Sequence, residues 1–147
     1  MMKRRWIGHM LPFVPVLAGL VLIVIPATGG LGLLLTLAWP LPIIVLAVRK
    51  GSGAASLTAT AMAVALFGTI GLLAIPSHRT GDMFGLAIPG LALGALGTVS
   101  LLLGAGLGIW AFRRRQPGGK AGLIVNVALL GALALWCLWI ALPILTQ

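Results

Sequence analysis

Residues 6–48 run for 43 positions without one Asp, Glu, Lys or Arg. A helix crosses the roughly 30 Å hydrocarbon core of a bilayer in about 20 residues. The run is therefore too long for one crossing and suits two. The rest of the chain follows suit: 61% of the 147 residues are hydrophobic and 7% charged, whereas a soluble domain carries about 25% charged residues. That excludes a soluble globular fold, and the hydropathy excludes a disordered chain. The expected fold is all-α, an integral membrane bundle forming a single transmembrane domain over residues 1–147.

Turn chemistry divides the chain into five spans. Pro26-Ala27-Thr28-Gly29-Gly30 breaks the long run, giving spans at about 10–26 and 31–48. Arg49-Lys50-Gly51-Ser52-Gly53 is a polar stop, and a third span follows at about 54–75. Pro76 to Asp82 reads as the second polar connection, before a fourth span at about 84–112 in which Pro89 marks either the true start or a tilt. Arg113 to Lys120 is a basic turn, and the fifth span covers about 122–142. Lys3-Arg4-Arg5, an apolar stretch and Ala27-Thr28-Gly29 also have the order of a signal peptide. Cleavage would leave four spans. Pro12 and Pro15 within that stretch, and a second span directly behind it, favour a helical hairpin instead.

Basic residues resist translocation and collect in cytoplasmic loops. With the amino terminus inside, the inner segments hold Lys3, Arg4, Arg5, Arg49, Lys50, Arg113, Arg114, Arg115 and Lys120, and the outer ones only Arg79. The amino terminus is expected in the cytoplasm and the carboxyl terminus outside. Trp6, Trp110, Trp136 and Trp139 fall near span ends, where amphipathic rings prefer to sit. Trp39 lies mid-span, followed by Pro40 and Pro42, which remove two backbone donors and predict a kink. The kink either shapes packing or lines a ligand cavity with its freed carbonyls.

Lipid is as apolar as leucine, so helices associate through close contact of small residues and through hydrogen bonds. Gly90, Gly97 and Gly104 recur every seven residues, with Gly94 and Gly108 four beyond the first and last. They form one stripe along span four. Span three offers Ala54, Thr58, Ala61, Ala65 and Gly68 as the opposing stripe, predicting a tight antiparallel hairpin. Asn126, about one turn into span five, is expected to make an interhelical hydrogen bond. Thr36, Thr69, Thr98 and Ser100 can bond their own helix backbones.

Catalytic and coupling chemistry have little to work with. The only acid is Asp82 and there is no Glu, so carboxylate pairs and the membrane-embedded glutamate of small multidrug exporters are excluded. Ionisable groups inside membranes are usually functional, yet no span centre carries Asp, Glu, Lys or Arg. His9 and His78 fall at opposite ends of the expected topology, too far apart for one metal or haem. His78, Arg79 and Asp82 read as a polar outer turn, with a pH-sensitive site as the alternative. Cys137 has no partner for a disulfide and is expected to be buried and inert. No catalytic group, cofactor or metal site is expected. The basic clusters flank spans without interleaved aromatics, which argues against nucleic acid. Arg113, Arg114, Arg115 and Lys120 are instead expected to attract anionic lipid headgroups on the cytoplasmic side.

Residues 101–135 place a glycine-rich helix, Leu101 to Phe112, before a basic turn containing Gly118-Gly119 and a second apolar helix. This hairpin resembles one found in small, functionally uncharacterised bacterial membrane proteins. The resemblance implies a bacterial cytoplasmic membrane and no particular chemistry. The expected role is non-catalytic, exerted through helix packing with other membrane subunits or with copies of itself. An uncoupled channel or facilitator for a small neutral solute or lipid is the alternative.

Overall fold

The structure is a computed structural model describing residues 11–25, 29–80 and 83–145, without the side chains of 75–80, 83–86, 140 and 143–145. All regular structure among the described residues is helical. A 3₁₀ turn, Leu11–Phe13, leads into α1 (Val14–Val24). Then follow α2 (Gly29–Thr36), α3 (Pro40–Lys50), α4 (Ser52–Thr80), α5 (Met83–Arg113) and α6 (Gly119–Leu145). Four stretches are long and apolar enough to cross a membrane: Gly29–Lys50, Ser52–Ala74, Ala87–Arg113 and Gly119–Trp139. Leu11–Val24 is apolar but shorter, about 21 Å at 1.5 Å per residue.

The boundaries correct two expectations. The connection expected over Pro76 to Asp82 is mostly helix, because α4 continues through Pro76 to Thr80. Likewise Pro89 neither starts nor ends a helix; α5 runs through it unbroken. A helix satisfies its own backbone hydrogen bonds in water as in lipid. Polar side chains therefore mark where a membrane ends, not where the helix does. Gly29 and Gly30, expected in the turn, begin α2, while Pro26, Ala27 and Thr28 lie outside the described residues.

The expected kink separates α2 from α3. The missing N–H groups of Pro40 and Pro42 would have bonded the carbonyls of Thr36 and Ala38. Trp39 N–H donates to Thr36 O instead (2.9 Å), and Leu41 N–H to Ala38 O (3.0 Å). Tightening into 3₁₀ geometry thus satisfies both carbonyls without water or ligand. Trp39 is 7% exposed and belongs to the buried cluster of Val16, Leu20, Ile43, Ala59, Met62 and Leu66. The kink turns an indole into the core, where α1, α3 and α4 meet.

Two glycines let α1 and α2 cross at backbone distance. A methyl group on Gly32 would lie 2.5 Å from Ile23 N and 2.7 Å from Gly19 O, and one on Gly19 would lie 2.8 Å from Thr36 N. The most extensive interface joins α4 to α5, followed by α5 with α6. The last helix packs least: 11% of the residues in its most apolar stretch are buried, against 39% in α4. For that reason Cys137, expected to be buried, is exposed.

Candidate functional site

The two basic corners of the chain meet at one end of the bundle. Ser52 opens α4 one residue, Gly51, after Arg49 and Lys50, and its N–H is one of the donors a helix start leaves unpaired. Gln116, in the turn between α5 and α6, supplies the acceptor: its Oε1 takes both Ser52 N–H (3.0 Å) and Ser52 Oγ–H (2.6 Å). Positive φ at Gly51 (92°) and Gly118 (81°) turns the chain at each corner. A side chain on Gly53 would overlap Pro117 O, so the start of α4 lies directly against this turn.

The turn itself ends α5 in a Schellman motif. Gln116 N–H reaches Ala111 O (2.8 Å) and Arg115 N–H reaches Phe112 O (3.0 Å). Arg115 occupies the left-handed position, φ 53°, where glycine is usual. Arg113, Arg114, Arg115 and Lys120 are exposed, as are Arg49 and Lys50. The Arg114 guanidinium stacks 4.3 Å above the Trp110 ring, holding one of these charges flat against the helix surface. Two helices, α3 and α5, end here and two, α4 and α6, begin, so their dipole ends oppose one another. The sole acid, Asp82, lies outside the described residues, as does His9. At His78 and Arg79 only the backbone is described.

One turn deeper, three helices are locked by neutral polar groups. Ser56 Oγ–H donates to Gly104 O of α5 (2.6 Å). Asn126 of α6, fully buried, donates through Nδ2 to Gly122 O (2.7 Å) and to Ser56 O (3.3 Å). Those neighbours are acceptors, which settles which end of the amide is nitrogen. The whole amide borders Gly104, and its Oδ1 has no donor. Ser52, Ser56 and Thr60 are spaced by four, and all three lie on the buried side of α4. Above them Ser100 Oγ–H crosses to Ala59 O (2.8 Å) rather than to its own helix, unlike Thr36, Thr69 and Thr98.

The glycine stripe of α5 serves two neighbours. Gly94 and Gly97 face α4: methyl groups there would sit 3.8 Å from Ile70 Cδ1 and 2.8 Å from the Phe67 ring. Gly104 and Gly108 face α6 instead, where methyl groups would lie 2.5 Å from Asn126 Oδ1 and 2.8 Å from Leu123 N. Gly90 has nothing within 4 Å.

Two members of the expected opposing stripe on α4, Ala61 and Gly68, are a correction, while Ala54, Thr58 and Ala65 are half-buried. Its buried positions include Ser52, Ser56, Ala59, Ala63 and Leu66. Ala54, Thr58, Ala61, Ala65 and Gly68 each lie two residues further on, about 200° around the helix. Ala61 and Gly68 are accordingly exposed, while Ala65 touches the core only from its edge. Small residues surround this part of α4, so size did not distinguish its faces. Ser52, Gly53, Gln116 and Gly119 read in the sequence as turn chemistry, and Ser56 and Gly122 as ordinary small residues of their spans. Gly122 does have a readable signal in hindsight: it stands four residues before Asn126, one turn along the same face.

Chemically, this junction is a clamp. The hydroxyl protons of Ser52, Ser56 and Ser100 are committed to acceptors. Among the described residues no three His, Cys, Asp or Glu side chains converge on a common point. Comparison with family models, with known proteins and with solved structures finds no match for this chain.

Proposed function

We propose that this chain is a small, non-catalytic protein of a bacterial cytoplasmic membrane, acting through helix packing as a subunit of a larger membrane complex or as a homo-oligomer. On this reading it has five spans, with the amino terminus in the cytoplasm and the carboxyl terminus outside. The basic end meets the anionic headgroups of the inner leaflet.

The observation that carries the role is the outer half of α6. Residues 134–139 are all exposed, covering the whole circumference of the helix, and they include Leu135, Trp136, Leu138 and Trp139. Just below, Ala128, Gly131 and Ala132 are exposed too, and a methyl group on Gly131 would meet nothing within 4 Å. Small residues on an unused face permit the close backbone approach through which helices associate in lipid. The facilitator alternative draws on the kink at Trp39-Pro40-Leu41-Pro42 and on the scattered Thr, Ser and Asn of the spans; at that kink the carbonyls of Thr36 and Ala38 are both paired.

The test is purification of the full chain in mild detergent, with a photo-crosslinker at Leu135 or Leu138 and a control at buried Leu101. Protein adducts from the first two sites alone are expected. A monodisperse monomer whose only adducts are lipid would falsify the role.

A further inference from the structure

Above the Asn126 clamp, α4 and α6 part. Ala63, Phe67 and Gly68 of α4 face Leu129 and Leu133 of α6 across a cavity of about 380 Å³, with Leu101 of α5 as its floor. Val64 and Gly68 on its rim are exposed, so it opens sideways rather than into the bundle. Towards the basic end it closes completely, because Gly122 and Gly53 lie against Ser56 and Pro117.

We propose that this groove seats one acyl chain of an anionic phospholipid whose headgroup is held by the basic turn. Three observations choose that occupant. The first is shape: a helix is about 10 Å wide and cannot follow a groove that closes within a few turns, whereas a flexible chain can. The second is depth. Leu129 lies nine residues beyond Lys120 and Leu101 twelve before Arg113, about 14 and 18 Å at helical rise. One leaflet's hydrocarbon is about 15 Å thick, so the chain of a lipid anchored at the basic turn ends at the near edge of the groove. Leu133 and Gly68, about 20 and 24 Å from Lys120 and Ser52 at helical rise, line its far end. The third is charge. Exposed Arg113, Arg114, Arg115 and Lys120 stand at that end, and the sequence offers one acid to set against ten bases. The seat rests on the headgroup reading above and adds to it a place for the chain.

The test uses the full chain in bilayers at low lipid content, with phosphatidylglycerol or phosphatidylcholine spin-labelled near the chain end. Electron spin resonance reads the motionally restricted fraction. Phosphatidylglycerol should exceed phosphatidylcholine at least about fivefold, the factor expected from one basic residue's attraction. Gly68→Phe fills the groove from a position with open space, so folding is not at risk, and it should lower the restricted fraction of phosphatidylglycerol. Arg113→Gln/Arg114→Gln/Arg115→Gln should do the same. Equal retention of the two lipids in the wild type overturns the proposal. So does an unchanged phosphatidylglycerol signal in Gly68→Phe. If in that case the triple variant still loses the signal, headgroup attraction stands without a seat; if only Gly68→Phe acts, the headgroup reading has failed and the proposal with it.

Discussion

Asn126 and Gly104 form a pair in which the smaller residue matters more. A methyl group at Gly104 would enter the Asn126 amide at 2.5 to 2.7 Å, and overpacking of this kind costs about 1–3 kcal/mol. Asn126→Leu keeps the branched shape, gives up three modest hydrogen bonds, one of them within its own helix, and removes the unpaired Oδ1 at the same time. Polar contacts between membrane helices average about 0.6 kcal/mol, so this change should cost under about 1 kcal/mol. Gly104→Ala is therefore expected to lower the detergent unfolding midpoint more than Asn126→Leu, and the reverse order would mean that the amide is the true lock. Arg115 behaves in the opposite sense. A left-handed φ costs a non-glycine residue about 1–2 kcal/mol, so Arg115→Gly should raise stability by about 1 kcal/mol. If the guanidinium serves a headgroup, the same variant should bind less phosphatidylglycerol.

At the scale of elements, glycines separate into those that bring backbones together and those that face open space. Gly32 packs against the backbone of α1, which has no flexible end to give way. Gly32→Ala should accordingly disrupt the α1–α2 hairpin at a cost of about 1–3 kcal/mol. Gly71, with nothing within 4 Å, should accept alanine with no loss and a gain of up to about 1 kcal/mol in helix propensity. Thermal midpoints in one detergent compare the two directly. Glycine spacing alone did not reveal this division. The seven-residue repeat of Gly90, Gly97 and Gly104 marks a face of α5, but that face meets nothing, then Phe67 of α4, then Asn126 of α6 as the helix rises through the bundle. On α4, Ser52, Ser56, Ala59 and Ala63 are as small as Ala54, Thr58, Ala61 and Ala65 on the other side, and only the packed neighbours distinguish the two faces.

For the molecule as a whole, the Ser52–Gln116 bond joins the corner at Arg49-Lys50 to the corner at Arg113 to Lys120. Both corners must therefore meet the same side of a membrane. In a Cys137→Ala background, Lys50→Cys and Lys120→Cys should react together with an impermeant maleimide in inverted vesicles and stay protected in right-side-out ones. Labelling from opposite sides would break both the bundle and the proposed orientation. The unequal burial of α4 and α6 gives the molecule a packed side and an open side, and the open one is where partners or lipid are expected.

The sequence by itself determined that the chain is helical and apolar enough for a membrane, where its kink falls, and which segments carry charge. Hydropathy, proline and charge are properties of a position along the chain and need no neighbour to be read. Tertiary structure alone decided which face of α4 is buried, that Gly104 and Gly108 serve α6, that Gln116 caps α4, and that a groove opens above Asn126. Each of those depends on which atoms of distant segments meet, and small residues on every side of a helix leave that choice to the packing.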